Sequence, residues 1–129
     1  MERMRTLDGF DEPDAALPDD VAQLRDQIAE RYDPEAIILF GSNATSNARP
    51  DSDIDLLIIK RTTEPYFDRI IELRRSIDTS RRVDAIVLTP QEYDKAIKEN
   101  RYFLVKEILP KGQTIYERPR ARHRRSRVA

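Results

Sequence analysis

No cysteine occurs among the 129 residues, which excludes disulfides, thiol nucleophiles and cysteine-based zinc sites. The single histidine, His123, stands among arginines in a C-terminal segment without apolar pattern, where nothing would fix the geometry a general base needs. Apolar runs end after about five residues, far short of a membrane span. The first twenty residues are acidic and lack a hydrophobic segment, so they do not read as a secretory leader. There is no internal repeat and no low-complexity core. These absences predict a small cytoplasmic domain, and a chain of this length buries roughly two-thirds of the surface it exposes when unfolded, enough for a core without staples.

Charge is nearly balanced overall but not along the chain. Residues 8–20 carry six acids and no base, whereas residues 118–129 carry six arginines and no acid. Without those arginines, 17 basic residues stand against 24 acidic ones, leaving the rest of the chain at net −7. A body of that sign does not favour binding nucleic acid through its general surface. Three regions follow: an acidic N-terminal arm over residues 1–20, expected to be flexible, a folded domain over 21–117, and an arginine-rich tail over 118–129, expected to be disordered. The tail is either a solvated end or a contact for RNA, the acidic arm or a partner.

Helical and strand-like patterns alternate within the domain. Asp19 or Asp20 can cap a helix from Val21 to Arg31, with Val21, Leu24, Ile28 and Tyr32 along one face, and Asp33-Pro34 ends it. Ala36 to Phe40 is a short run of strand formers, and Asp53 to Ile59 is a second. A helix over about Pro65 to Asp78 follows, with Phe67, Ile70, Ile71, Leu73 or Arg74, and Ile77 as its apolar stripe and Arg69 off it. Val83 to Leu88 gives a third strand, Thr89-Pro90 starts a helix to Lys98, and Tyr102 to Leu109 reads as helical. Lys111-Gly112 is a turn, with an edge strand over Gln113 to Glu117. The order predicts an α/β sheet with helices packed on one side; pattern alone leaves the strand order and sense open.

The chemistry concentrates in Gly41 to Lys60. Gly41-Ser42 follows the first strand, where glycine allows a sharp turn, and Ser42, Asn43, Thr45, Ser46 and Asn47 supply hydroxyls, amides and backbone N–H groups of the kind that hold phosphate. Ten residues later Asp53 and Asp55 open the second strand, one residue apart and therefore on one face. Asp84, near the start of the third strand, completes a trio of hard oxygen donors suited to Mg²⁺. Taken singly, an Asp-x-Asp is usually a strand-edge feature, and Ser42 can simply cap a short helix. Arg49 and Lys60 carry charge that either neutralises a triphosphate or sits in solvent. Tyr66 and Phe67 fit the core and rim of a helix better than a base-stacking platform.

The Gly-Ser pair, the ten-residue gap, Asp53-Ile54-Asp55-Leu56 and the later Asp84 resemble the minimal nucleotidyltransferases of the DNA polymerase β superfamily, many of which are antitoxin partners of HEPN-domain ribonuclease toxins. The resemblance covers about Val21 to Glu117. It implies a polymerase β-like fold with a mixed sheet, two Mg²⁺ ions on Asp53, Asp55 and Asp84, and ATP as donor. Gly41, Ser42 and Asn43 would cradle its phosphates, with Arg49 nearby. It also implies a tyrosine on a HEPN-type toxin as the acceptor. The chain departs from the family's Gly-Ser-x-Ala-x-Gly turn, having Ser46 at the second glycine and Thr45 where arginine is common. No separate acceptor-binding domain fits this length, which favours a macromolecular acceptor. Two other functions remain: an antitoxin that masks its toxin by binding alone, and an RNA-binding module acting through the arginine tail.

Overall fold

The computed structural model describes residues 17–44 and 52–119, and of Ser42 and Asn43 the backbone only. The arm up to residue 16, the turn residues Thr45, Ser46 and Arg49, and the tail from residue 120 with His123 lie outside the described residues. Helix α1 (Asp19–Arg31) begins after Pro18, whose carbonyl accepts from the N–H groups of Val21 and Ala22. Asp19 and Asp20 thus lie in the first turn, where their charge suits the helix dipole, and neither caps it as the sequence suggests. The helix therefore starts within the last residues assigned to the arm, and Leu17 is already part of the core. Val21, Leu24, Ile28 and Tyr32 are all buried on one face, and Asp33, at φ 57°, turns the chain out of the helix.

Strands β1 (Ala36–Phe40), β2 (Ile54–Ile59), β3 (Val83–Leu88) and β4 (Gln113–Glu117) form one sheet in the order β3-β2-β1-β4. β1 pairs antiparallel with both β2 and β4, while β2 and β3 run parallel. A parallel pair needs a crossover, which α2 (Tyr66–Ser76) supplies. The mixed sheet expected from the resemblance is what the chain forms.

The expectation of helices on one side is not met. Ile37, Leu39, Ile54, Leu56 and Ile58 face a core built with α1 and α2. On the opposite face, Leu57 and Ile59 pack with Ala96 of α3 (Pro90–Lys98) and with Leu104 and Ile108 of a π-helical turn (Phe103–Ile108). Near-continuous apolar strands signal burial on both faces, and Ala36 to Phe40 and Leu56 to Ile59 are of that kind.

Helix α2 also differs in its inward face. Phe67 is 71% exposed, whereas Arg69 is buried beside Leu73 and Ser76. The Arg69 guanidinium donates to the carbonyls of Glu64 and Val87 and, through both terminal nitrogens, to the Glu92 carboxylate, so its charge is paired where it enters the fold. Glu92 is shared with a second task. Thr89 Oγ1 accepts from the Glu92 N–H at 3.1 Å and the Glu92 carboxylate accepts from the Thr89 N–H at 2.9 Å, the capping box that starts α3.

Candidate active site

β1 ends at Phe40, and the chain turns at Gly41 into a 3₁₀ turn (Gly41–Ala44). Gly41 has φ +77°, a conformation that side-chain-bearing residues rarely adopt. The second reason for glycine is space: a β-carbon there would stand 2.1 Å from Asp55 Oδ2. The backbone of the turn thus lies directly against one of the predicted carboxylates.

Asp55 faces Phe40 across the antiparallel pair and Asp84 across the parallel one, in register with both. Alternation along β2 and β3 puts Asp55 and Asp84 on the face shared by Leu57, Ile59, Ile86 and Leu88. Asp53 sits one residue before β2, with Arg82 Nε 3.7 Å from its Oδ2. Burial pushes the Asp55 carboxyl above its ordinary range, and the charges of Asp84 and Asp53 push it further.

This arrangement suits a cation. Three carboxylates lie at one end of the β2 and β3 pair, and Asp55 is disfavoured as an anion by its burial first and then by the charges of the other two. Among the described residues, no group of three or more acidic or imidazole side chains is already drawn into ion-holding geometry. Hard carboxylate oxygens match Mg²⁺, so Asp53, Asp55 and Asp84 fit as its ligands.

Two arginines at this edge escaped the sequence reading. Arg81 donates to the Ser52 carbonyl at 2.6 Å and pairs with Asp20 of α1 at 2.5 Å, and the Ile54 N–H donates to the Arg82 carbonyl. The residues on either side of Asp53 are therefore tied to the start of β3. The signal available was the Arg81-Arg82 pair immediately before an apolar strand. Lys60 belongs elsewhere: its ammonium donates to the Tyr32 carbonyl and lies 4.4 Å from the centre of the Tyr32 ring. It stands at the far end of β2, five residues and about 17 Å of strand from Asp55.

Comparison with known proteins bears on the family and the fold. The family model described as "Polymerase beta, Nucleotidyltransferase" matches residues 23–121. A crystal structure described as that of a candidate nucleotidyltransferase from Sulfolobus solfataricus is similar in fold, with a TM-score of 0.55 and 22% identity over 90% of this chain and 94% of that one. No curated protein sequence matches the chain.

Proposed function

The chain belongs to the polymerase beta nucleotidyltransferase family, and from that premise we propose that it is a Mg²⁺-dependent protein adenylyltransferase, an antitoxin that transfers AMP from ATP to a HEPN-type toxin. The observation that carries the catalytic part is the in-register pair Asp55 and Asp84 beside the Gly41 turn, with Asp53 one residue ahead of the strand. Asp53, Asp55 and Asp84 would hold the metal, which when bound supplies charge for the triphosphate and lowers the pKa of the attacking hydroxyl. Gly41 lets backbone approach the site closely, and Ser42, Asn43 and Arg49 are proposed as hydrogen-bond donors to the phosphates. In the transfer, the acceptor oxygen bonds to the α-phosphorus and the bond from that phosphorus to the bridging oxygen breaks. Pyrophosphate leaves, and the hydroxyl proton passes to the Asp84 carboxylate. No helix among the described residues is long and apolar enough to cross a membrane.

The test is label transfer from α-³²P-ATP and, separately, γ-³²P-ATP with Mg²⁺, comparing the wild type with Asp53→Ala in lysate of the native host. A discrete protein band labelled only from the α-position, and lost in the variant, is the expected result. Absence of any band, with both forms still retaining one common partner, would replace catalysis with masking by binding.

A further inference from the structure

The sheet face that carries Asp55 and Asp84 continues into a groove of about 460 Å³. Leu57, Ile86, Leu88, Ala96, Phe103 and Leu104 line it, between β2, β3, α3 and the π-helical turn. Leu57 is two residues beyond Asp55 and Ile86 two beyond Asp84, so the groove begins about 6.7 Å along the same face from the carboxylates. Phe103 is 52% exposed at its mouth while its ring packs edge-on against Phe40, the cross-strand neighbour of Asp55. The groove and the carboxylate edge are one continuous surface.

From this continuity we infer that the groove seats the acceptor: an extended protein segment that inserts an aliphatic or aromatic anchor two positions from the hydroxyl-bearing residue to be modified. The inference rests on the transferase reading and adds the recognition rule. The two-residue offset matches because same-face side chains of an extended peptide repeat at the same spacing as those of the strand beneath. Its lining is apolar, aliphatic apart from Phe103 and Tyr66, whose hydroxyl accepts from the Val87 N–H, and the charged groups around it are already paired. Glu92 is bound by Arg69 and Thr89, and both Lys95 and Arg101 pair with Glu99. A nucleobase would need vacant donors and acceptors along its edge, whereas an apolar side chain needs none.

The experiment uses arrays of short peptides, each with one tyrosine, serine or threonine and varied flanks, probed with the fluorescently labelled full-length protein. Wild type, Asp53→Ala, Ala96→Phe and Phe103→Asp are compared, with circular dichroism confirming that each is folded. Phe103 is half exposed, so its replacement keeps the comparison valid if filling the groove at Ala96 disturbs packing. Wild type and Asp53→Ala should share one ranking, with Leu, Ile, Met or Phe preferred two positions from the hydroxyl. Phe103→Asp should weaken the preferred peptides by about tenfold or more. A flat ranking, or one that Phe103→Asp leaves unchanged, overturns the inference. So does a groove variant that loses Mg²⁺-ATP affinity with peptide binding intact, which would make the groove a base pocket. Failure of the transferase reading looks different: peptides bind in the expected ranking but receive no α-label from wild type.

Discussion

Gly41 and Asp55 occupy one corner of the sheet so closely that a β-carbon on the glycine would lie 2.1 Å from the Asp55 carboxylate oxygen. Gly41→Ala therefore meets two costs. The left-handed backbone at φ +77° costs about 1–2 kcal/mol for alanine, and Asp55 must move out of line with Asp84. The variant should unfold at lower urea and lose Mg²⁺-ATP affinity out of proportion to its stability. Calorimetric titration beside urea melts checks this, and wild-type affinity in the variant would separate the turn from the carboxylates.

Asp84→Asn separates the fold from the metal site. Asp55 is held above its ordinary range by burial first and then by the charges of Asp84 and Asp53. Removing one of those charges should leave the melting temperature without metal unchanged or raised, because a repulsion disappears and the exposed Asp84 contributes no core packing. The rise in melting temperature produced by Mg²⁺ and ATP together should vanish. Equal stabilisation of wild type and variant by Mg²⁺ and ATP would remove Asp84 from the ligand set.

Local pattern carried much of this architecture. The α1 stripe of Val21, Leu24, Ile28 and Tyr32, the first three strands and the Thr89-Pro90 helix start are each set by neighbours within a few residues. So is the coincidence of Asp53 and Asp55 at the start of one strand. The inward turn of Arg69 could not be read that way, because its stabilising partners are remote: the Val87 carbonyl in β3 and the Glu92 carboxylate in α3. A buried arginine looks like a surface arginine until its counterion is located. The second helical layer was hidden for a related reason. β1 and β2 display two apolar faces, but only tertiary packing assigns α3 and the π-helical turn to the second.

Arg81 is a positioning residue for Asp53. Its guanidinium joins the Ser52 carbonyl to Asp20, so the backbone immediately before Asp53 is held between β3 and α1. Arg81→Met keeps most of the packing volume but removes both contacts, at an expected cost of about 2 kcal/mol in urea unfolding. Label transfer should fall further than the stability loss explains, and Arg81→Lys should restore the Asp20 pair without recovering full transfer. If Arg81→Met transfers label at the wild-type rate while folded, the tether has no part in the site.

The pair between Glu92 and Arg69 gives the fold a defined response to acid. The hydrogen bond from Arg69 holds the Glu92 carboxyl below its ordinary value of 4.5, with help from the Thr89 N–H and against the opposing effect of burial. A depressed carboxylate contributes stability above its unfolded pKa and loses that contribution as pH falls through the lower folded value. Glu92 is 45% exposed, so solvent screens the pair and its charge-dependent share is set at about 1 kcal/mol. Glu92→Gln should be less stable than wild type at neutral pH, and the gap should narrow steadily as the medium is made more acidic than pH 4.5. Urea melts of both proteins across that range measure the gap directly. A gap independent of pH would mean that the capping hydrogen bonds, and not the charge on Glu92, account for the loss.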